Sequence, residues 1–360
     1  MNIMVLNPGA RLLDFALYAG NGRLPSRSGR IANYRGAEMC RAALKNVAKL
    51  CRSGISVKTR SLAWAVRIPF GGEMFARPVL LNKKIIRSLE TLVPLAPLHL
   101  PAIMELLTIL QEEYAAQPVI MVFETAFFAA LPQREASYAL NVELMDVGAL
   151  RRFGYHGLFH EAACAHACRL RKVRHVPALP RILSLCLDPQ PEVAAVLRDH
   201  PVMVTSGLTP LEGLPGQTTC GELDPGIIMT LSDKMKWGPE RIDAVLTRES
   251  GLLGLTGKRM TLDTLLTSGR YKGSLAREVM NYRLLLACGA GIAAMGGLNH
   301  IVFSGRYAEL GKTLGPSLIS RLLMQRQARS VEIQWNCFHN SLERIIADHA
   351  STVLMALPIQ

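Results

Sequence analysis

The sequence predicts an α/β protein, and two observations support this fold class. Short apolar or β-branched runs alternate along the chain with segments of helical periodicity, an order typical of α/β folds. The chain has 360 residues, of which 49% are hydrophobic, so it can bury a large core and is long enough for two domains. The sequence contains neither a repeat of solenoid length nor a low-complexity linker.

Strands are predicted where apolar or β-branched residues form short runs. These runs are Ile3–Leu6, Leu62–Ile68, Val119–Phe123, Arg181–Leu187, Glu192–Leu197, Ile301–Ser304 and Val331–Trp335. The first run ends at Asn7-Pro8-Gly9, which predicts a tight turn. Such a turn can present backbone N–H groups to a phosphate, but a strand followed by Asn-Pro-Gly is usually only a hairpin.

Helices are predicted where apolar residues recur every three or four positions. These segments are Pro101–Glu113, Leu158–Arg171, Asp224–Lys236, Ala276–Met295 and Ser341–Met355. Asp224 followed by Pro225 is a helix start signal, because Asp caps free N–H groups and Pro fits the first helical position. Gly296-Gly297 predicts a helix C-cap that leads into a core strand.

The charge of the chain favours anionic ligands. The formal net charge is +13, which attracts nucleotides, acyl phosphates, nucleic acid or a membrane surface. The basic residues are dispersed, however, and no run of five or more interleaves with aromatic residues. We therefore expect a generally anion-friendly surface and no nucleic-acid partner.

The apolar segments and cysteines indicate a cytoplasmic protein. The longest mostly apolar stretch, Leu284–Leu298, is interrupted by Gly289 and Gly291 and is shorter than the roughly 20 residues that a membrane span needs. The first residues predict a strand and a turn and not a signal peptide, so we expect no membrane association. The 8 cysteines follow no recognisable spacing, which suits buried thiols in a reducing compartment.

A histidine beside glycines marks one candidate site. His156 lies at the entrance to a predicted helix, where it can donate to an anion at the helix N-terminus. His160, Cys164 and Cys168 continue one face of that helix, with His166 nearby, and this pattern permits a zinc site. The alternative is a face packed in the core, since cysteine is among the most buried residue types.

Several motifs, each weak alone, follow one another in a specific order. They comprise Asn7 and Gly9; Arg67 with Gly71-Gly72-Glu73; Ala96-Pro97-Leu98-His99; Val122 to Phe127; Arg151 to His160; Thr209 to Leu214; Ser250 to Gly254; and Met295 to Leu298. In this order they resemble the acetate and propionate kinase family from end to end. Phe70 stands where that family has a histidine before the glycine pair.

The resemblance implies an architecture and a reaction. It implies two actin-like, ribonuclease-H-like domains of the superfamily that includes acetate and sugar kinases, heat-shock ATPases and actin. We expect residues 1–126 with 344–360 to form the first domain, closed by the C-terminal helix, and residues 127–343 to form the second. The implied protein is a homodimer that uses ATP and Mg²⁺ to phosphorylate a small carboxylate such as acetate or propionate.

The resemblance also assigns roles to residues of this chain. Arg67 matches the arginine that holds the carboxylate, His99 an active-site histidine, and His156 the histidine that stabilises the transition state. Glu124 replaces an aspartate that binds magnesium or orients the substrate. The remaining assignments are nucleotide binding for Asn7, Gly9, Gly305 and Glu309, and metal binding for Asn7 and Glu343.

Other positions depart from the family pattern. The phosphate loop reads Gly9 to Asp14 without its hydroxyls, and Cys186 to Gln190 replace a glycine-rich phosphate motif. Thr219 stands where the family has a second catalytic arginine, and loss of such a cation can cost roughly 10³ to 10⁵ in rate. The segment Gly305 to Leu310 differs in sequence from the family's adenosine loop. Leu342 replaces one of two adjacent glutamates.

These departures predict an impaired kinase. The alternative is a catalytically inactive homologue that acts as a binding or regulatory protein. A contrary hypothesis is that Arg11, Arg306 and other basic residues supply replacement phosphate contacts, in which case activity survives.

Overall fold

Two β-sheets organise the chain, one in each of two units. The first unit is Met1–Ala129 with Asn340–Gln360, and the second is Ala130–His339. The boundaries expected from the resemblance lie at 126/127 and 343/344. The computed structural model describes residues 1–9, 11–20, 22–52, 62–97, 99–144, 150–173, 180–322 and 333–357.

The first unit holds a six-stranded sheet of order β3-β2-β1-β4-β6-β5. Its strands are β1 (Asn2–Pro8), β2 (Leu12–Tyr18), β3 (Arg27–Ala32), β4 (Leu62–Ile68), β5 (Val79–Leu80) and β6 (Val119–Phe123). Strands β1 to β3 form an antiparallel meander, while β1, β4 and β6 are parallel neighbours. The expected turn after the opening strand is a hairpin, in which the Gly9 N–H donates to the Leu12 carbonyl at 2.8 Å.

The second unit holds a five-stranded sheet of order β11-β10-β7-β8-β9. Its strands are β7 (Arg181–Cys186), β8 (Glu192–Leu197), β9 (His200–Val204), β10 (His300–Ser304) and β11 (Gln334–Cys337). Strands β7, β10 and β11 are parallel, and β7 to β9 are antiparallel. Each sheet therefore joins a parallel half to an antiparallel meander.

Twelve α-helices in the described part of the chain surround these sheets. They are α1 (Ala37–Arg52), α2 (Lys83–Glu90), α3 (Leu100–Glu113), α4 (Gln133–Ala136), α5 (Gly157–Val173), α6 (Pro225–Met235), α7 (Pro239–Arg248), α8 (Gly251–Thr256), α9 (Leu262–Thr267), α10 (Leu275–Met295), α11 (Gly311–Leu322) and α12 (Leu342–Met355). Short 3₁₀ helices lie at Val93–Leu95, Ala126–Ala130, Val142–Leu144, Gly269–Tyr271 and Ala308–Leu310.

Helix α12 belongs to the core of the first unit. It packs against β1, β4 and β6 and buries Ile345, Ile346, Ala347 and Ala350. Its start is fixed by Ser341, whose side chain accepts from the Arg344 N–H at 3.1 Å. The C-terminal segment therefore returns to complete the domain that the N-terminal strands begin.

Helices α5 and α10 cover opposite faces of the second sheet. Alternate residues of a strand point to opposite faces. Leu183 and Leu185 of β7 belong to the apolar cluster that includes Met280 and Leu284 of α10, whereas Ser184 between them contacts His160 of α5. Helix α10 ends where predicted, at Gly296 with φ +68°.

Most of the predicted elements are confirmed, often to the residue, and one strand is displaced. The runs predicted at 62–68, 119–123 and 192–197 have the observed bounds of β4, β6 and β8. The last strand was predicted at 331–335, but β11 begins at Gln334, opposite His300 at the start of β10, and residues 331 and 332 lie outside the described residues. None of the helices in the described ranges is long and apolar enough to cross a membrane.

Candidate functional site

The first unit brings charged and polar side chains together at one edge of its sheet. Strands β1, β4 and β6 are parallel and in adjacent register, so their carboxyl ends lie side by side. Asn7 lies near the end of β1, Arg67 near the end of β4, and Glu124 directly after β6. In open α/β sheets this edge is where ligands bind.

These side chains form one hydrogen-bonded chain, here called the strand-end cluster (Asn7, Arg67, Glu124, Glu343). Arg67 Nε donates to Glu124 Oε1 at 2.6 Å, and its Nη1 donates to Asn7 Oδ1 at 3.3 Å. Asn7 Nδ2 in turn donates to Glu343 Oε1 at 2.8 Å. The structure therefore joins four residues that the sequence analysis selected separately.

The ion pair in this cluster is largely buried. The Glu124 side chain is 1% exposed and the Arg67 side chain 19%. A buried carboxylate needs such a partner, because an unpaired charge in the interior is costly. Glu343 lies in the first turn of α12, where the helix dipole favours a negative charge.

The strand-end cluster offers oxygen donors suited to magnesium. Mg²⁺ prefers oxygen ligands and usually binds through one or two carboxylates together with substrate phosphates. Asn7, Glu124 and Glu343 supply this chemistry, although Arg67 already neutralises Glu124. Among the residues with a described placement, no group of three or more His, Cys, Asp or Glu side chains could hold a metal alone. A metal here would thus depend on ligand oxygens.

His99 and Gly9 lie in the same unit as the cluster. His99 immediately precedes α3, and burial, followed by the charges of Arg67 and Arg35, lowers its pKa. At neutral pH its ring is therefore a neutral hydrogen-bonding group and not a cation. The carbonyl of Gly9 accepts from the Tyr34 hydroxyl at 2.9 Å, and burial raises the pKa of Tyr34 to about 12, so this donor stays protonated.

His156 lies in the second unit, directly before α5, and its groups are already engaged. Its backbone N–H donates to Glu192 Oε1 at 2.9 Å, and its ring Nε2 lies 2.9 Å from the Gln190 carbonyl. Because a carbonyl only accepts, Nε2 carries a proton and donates it. The ring is thus oriented by the segment 187–190.

The zinc hypothesis for α5 is not supported. His160 is fully buried, with Nδ1 2.8 Å from Ser184 Oγ and Nε2 3.2 Å from Glu192 Oε1. Cys164 is also buried, and desolvation raises the pKa of its thiol. This face of α5 is packed in the core, as the alternative interpretation expected.

Gly305 and Glu309 follow β10 in the second unit. Gly305 has φ +83°, and a Cβ there would lie 2.9 Å from the Leu187 carbonyl oxygen, so only glycine fits. The exposed Glu309 contacts Lys312 at 2.5 Å and His339 at 2.9 Å. The Arg306 N–H donates to Asp188 at 2.8 Å. Gly305 and His156 thus both adjoin the segment 187–190.

A cationic cavity of about 370 Å³ lies in the same unit. It is lined by Gln217, Thr218, Lys258, Arg259, Met260, Thr261, Thr264 and Tyr271. Lys258 and Arg259 follow directly after Gly257, the C-cap of α8. Thr219, next in sequence to this lining, hydrogen-bonds Gln190 in the segment that also orients His156.

Sequence reasoning missed Glu192, Tyr34 and the pair Lys258-Arg259. Glu192 was detectable in principle, because an acidic residue that opens a wholly buried strand requires a specific partner. Tyr34 and the basic pair carried no such signal, since their roles depend on contacts distant in sequence.

Comparison with known proteins identifies the class. The fold matches the crystal structure of Porphyromonas gingivalis acetate kinase with a TM-score of 0.82, at 23% identity over 98% of this chain and 99% of that chain. A propionate kinase from Francisella tularensis matches with a TM-score of 0.80, at 23% identity over 97% and 98%. The chain therefore has the two-domain α/β fold of the acetate and propionate kinases.

The family assignment follows from sequence as well. The model of the acetokinase family matches residues 30–355. The acetate kinase of Pseudarthrobacter chlorophenolicus is 36% identical over 245 residues, which cover 68% of this chain and 63% of that relative. The acetate kinase of Sulfurovum sp. is 33% identical over 246 residues, which cover 68% of this chain and 61% of that relative. The chain belongs to the acetokinase family, and these matches span less than two thirds of the relatives' length.

Proposed function

We propose that this chain is an acetate kinase-type phosphotransferase with a strongly reduced rate. Its reaction would move the γ-phosphoryl group of ATP onto a short-chain carboxylate, such as acetate or propionate, to give an acyl phosphate and ADP. The observation that carries the proposal is the strand-end cluster, in which Arg67 lies between Glu124 and Asn7 at the carboxyl edge of parallel strands.

In this proposal Arg67 binds the substrate carboxylate. A guanidinium suits this task, because its planar donors match the geometry of two carboxylate oxygens. Glu124 already accepts from Arg67 Nε, so an incoming carboxylate must share the cation with a buried internal one. This competition is one physical reason to expect weak substrate binding.

Magnesium and ATP are the proposed cofactors. Bound Mg²⁺ would bridge phosphate oxygens and neutralise charge that develops during transfer. Asn7 and Glu343, which are hydrogen-bonded to each other, would hold the metal ion. Glu124 would orient the site through its contact with Arg67. Lys258 and Arg259 in the 370 Å³ cavity are candidates for the cations that contact nucleotide phosphates.

The reduced rate follows from groups that are missing or occupied. Thr219 offers a hydroxyl where an arginine would supply charge, and that change alone costs roughly 10³ or more in rate. The Nε2 proton of His156 is directed at the Gln190 carbonyl and not at an open position. Both changes weaken stabilisation of a phosphoryl group in transfer.

The experiment is detection of acyl phosphate as a hydroxamate, with ATP, Mg²⁺ and acetate or propionate. We expect a small signal from the wild type, no signal from His156→Ala, and wild-type signal from the control His200→Ala, which changes an exposed histidine. A wild-type signal no higher than that of His156→Ala would refute the enzymatic proposal.

A non-catalytic homologue is the second candidate. It is favoured by the engagement of His156 with both Gln190 and Glu192. Thermal unfolding with and without ATP distinguishes the candidates if no acyl phosphate forms. A rise in melting temperature with ATP, absent in Lys258→Ala, would identify a nucleotide-binding protein without turnover.

We further propose a homodimer located in the cytoplasm. Helix α6 has no buried residue in the single chain, and it exposes Ile227, Met229 and Met235. A helix that exposes several large apolar side chains and buries none favours a protein interface. Free cysteines, among them Cys40 and Cys288, suit a reducing compartment. Sedimentation of Met229→Asp as a smaller species than the wild type would support the interface on α6.

A further inference from the structure

Glu192 is a carboxylate buried at the N-terminus of α5. It opens strand β8, and its side chain is 0% exposed. Its oxygens accept from the backbone N–H groups of Tyr155 at 3.0 Å and His156 at 2.9 Å. The ring Nε2 of His160 lies 3.2 Å from Oε1.

These contacts are those of an anion in a helix-terminal site. The N-terminus of a long helix carries partial positive charge and free N–H groups, and phosphates and carboxylates bind there. Helix α5 has 17 residues, and the donors that precede it converge on Glu192. The sequence predicted an anion at this position, and the anion present is part of the chain itself.

Glu192 stays ionised in this position. Burial alone would raise its pKa, but the hydrogen bond with His160 and the charges of His156 and His160 outweigh burial and lower the pKa to about 2. A neutral pH therefore leaves a full negative charge beside His156. A second anion would meet both steric exclusion and charge repulsion there.

We propose that Glu192 is an internal anion that fills the phosphate position at the start of α5 and thereby excludes a phosphoryl group from His156. The inference deepens the proposed kinase function and explains its low rate, since the position is occupied in the resting protein. The excluded ligand class is inorganic phosphate or a phosphoryl group, and Glu192 is the residue that determines whether it can bind.

The test measures binding of inorganic phosphate by calorimetry to the full chain and to Glu192→Ser. The shorter side chain vacates the space and removes the charge, so we expect phosphate to bind at least roughly tenfold more tightly than to the wild type. The control is Glu278→Ser, which removes an exposed carboxylate from the first turn of α10. A folded Glu192→Ser protein that binds phosphate no better than this control would overturn the proposal.

A measurement on the wild type covers the case in which Glu192→Ser does not fold. The amide resonances of Tyr155 and His156 should not move when phosphate is added, because Glu192 already accepts from both groups. Saturable shifts of these two resonances would show that the position is open, and the proposal would fail. Neither measurement requires kinase activity, so this inference and the proposed function can fail independently.

Discussion

Arg67 and Glu124 form a buried ion pair whose members come from neighbouring parallel strands. A charge pair in the interior gains little net stability, but removal of one partner leaves the other charge without compensation. Glu124 is the more buried of the two, at 1% exposure against 19% for Arg67. The pair therefore constrains both stability and ligand binding at the strand-end cluster.

We predict that Arg67→Ala lowers the free energy of unfolding by about 3 kcal/mol, because it removes the cation paired with a carboxylate that is 1% exposed. Urea denaturation measures the change. The matched control is Arg30→Ala, whose partner Asp14 lies on the surface, and it should leave the unfolding midpoint nearly unchanged. Equal midpoints for the two variants would contradict the buried-pair argument.

Single residues were predictable from the sequence where a motif fixed their position. Asn7, Arg67, Glu124 and Glu343 were selected through the family resemblance, and the structure joins them by hydrogen bonds. Glu192 was not selected, because its contacts with Tyr155, His156 and His160 join residues 32 or more positions apart along the chain. The sequence can indicate that a buried carboxylate needs a partner, but the identity of the partners requires the structure.

At the scale of elements, helix α11 packs closely against β10 and β11 because two of its residues are glycines. A Cβ on Gly315 would lie 2.8 Å from the Trp335 ring, and one on Gly311 would lie 2.5 Å from the Phe303 ring. The helix therefore approaches β10 and β11 more closely than a side chain would allow.

Gly315→Ala should destabilise the protein by roughly 1 to 3 kcal/mol, because the added methyl group displaces Trp335 or the helix. Gly289→Ala in α10 is the matched control, since a Cβ there meets nothing within 4 Å. In that helix interior, alanine should stabilise by up to about 1 kcal/mol. Thermal unfolding of both variants checks the opposite signs, and a stabilising Gly315→Ala would disprove the close packing.

Strands buried on both faces were among the elements that could be predicted. Strands β4 and β6 show continuous apolar runs, which the sequence displays directly. Strand β3 was missed because its residues, Arg27–Ala32, are largely exposed and include two arginines. An edge strand of this kind is specified by pairing with β2, a contact that local composition does not report.

At the scale of the whole molecule, each unit has a core of its own, and the first is built from both ends of the chain. Strands β1, β4 and β6 supply one side of that core, and α12 supplies another. The expectation that the C-terminal helix returns to the first domain came from the family resemblance. Periodicity alone predicted the helix but could not assign it to a domain.

Ile346→Ala in α12 should therefore destabilise the first unit selectively. The side chain is 0% exposed, and truncation of such a residue costs about 3 kcal/mol. Hydrogen exchange, followed by mass spectrometry, should show faster exchange in β1 and β4 but unchanged protection in β7 and β10. Met355→Ala, on the exposed side of the same helix, is the control, and uniform loss of protection in both units would contradict the assignment.

The hydrogen bond from Asn7 to Glu343 joins residues that are 336 positions apart in the sequence. A ribosome releases the N-terminus first, so a nascent chain exposes β1, β4 and β6 throughout most of its synthesis before α12 arrives to cover them. The second unit, in contrast, is contiguous in sequence and can complete its core earlier. Translation should thus finish the inserted domain before the domain that surrounds it, and the strand-end cluster should be the last part of the protein to form.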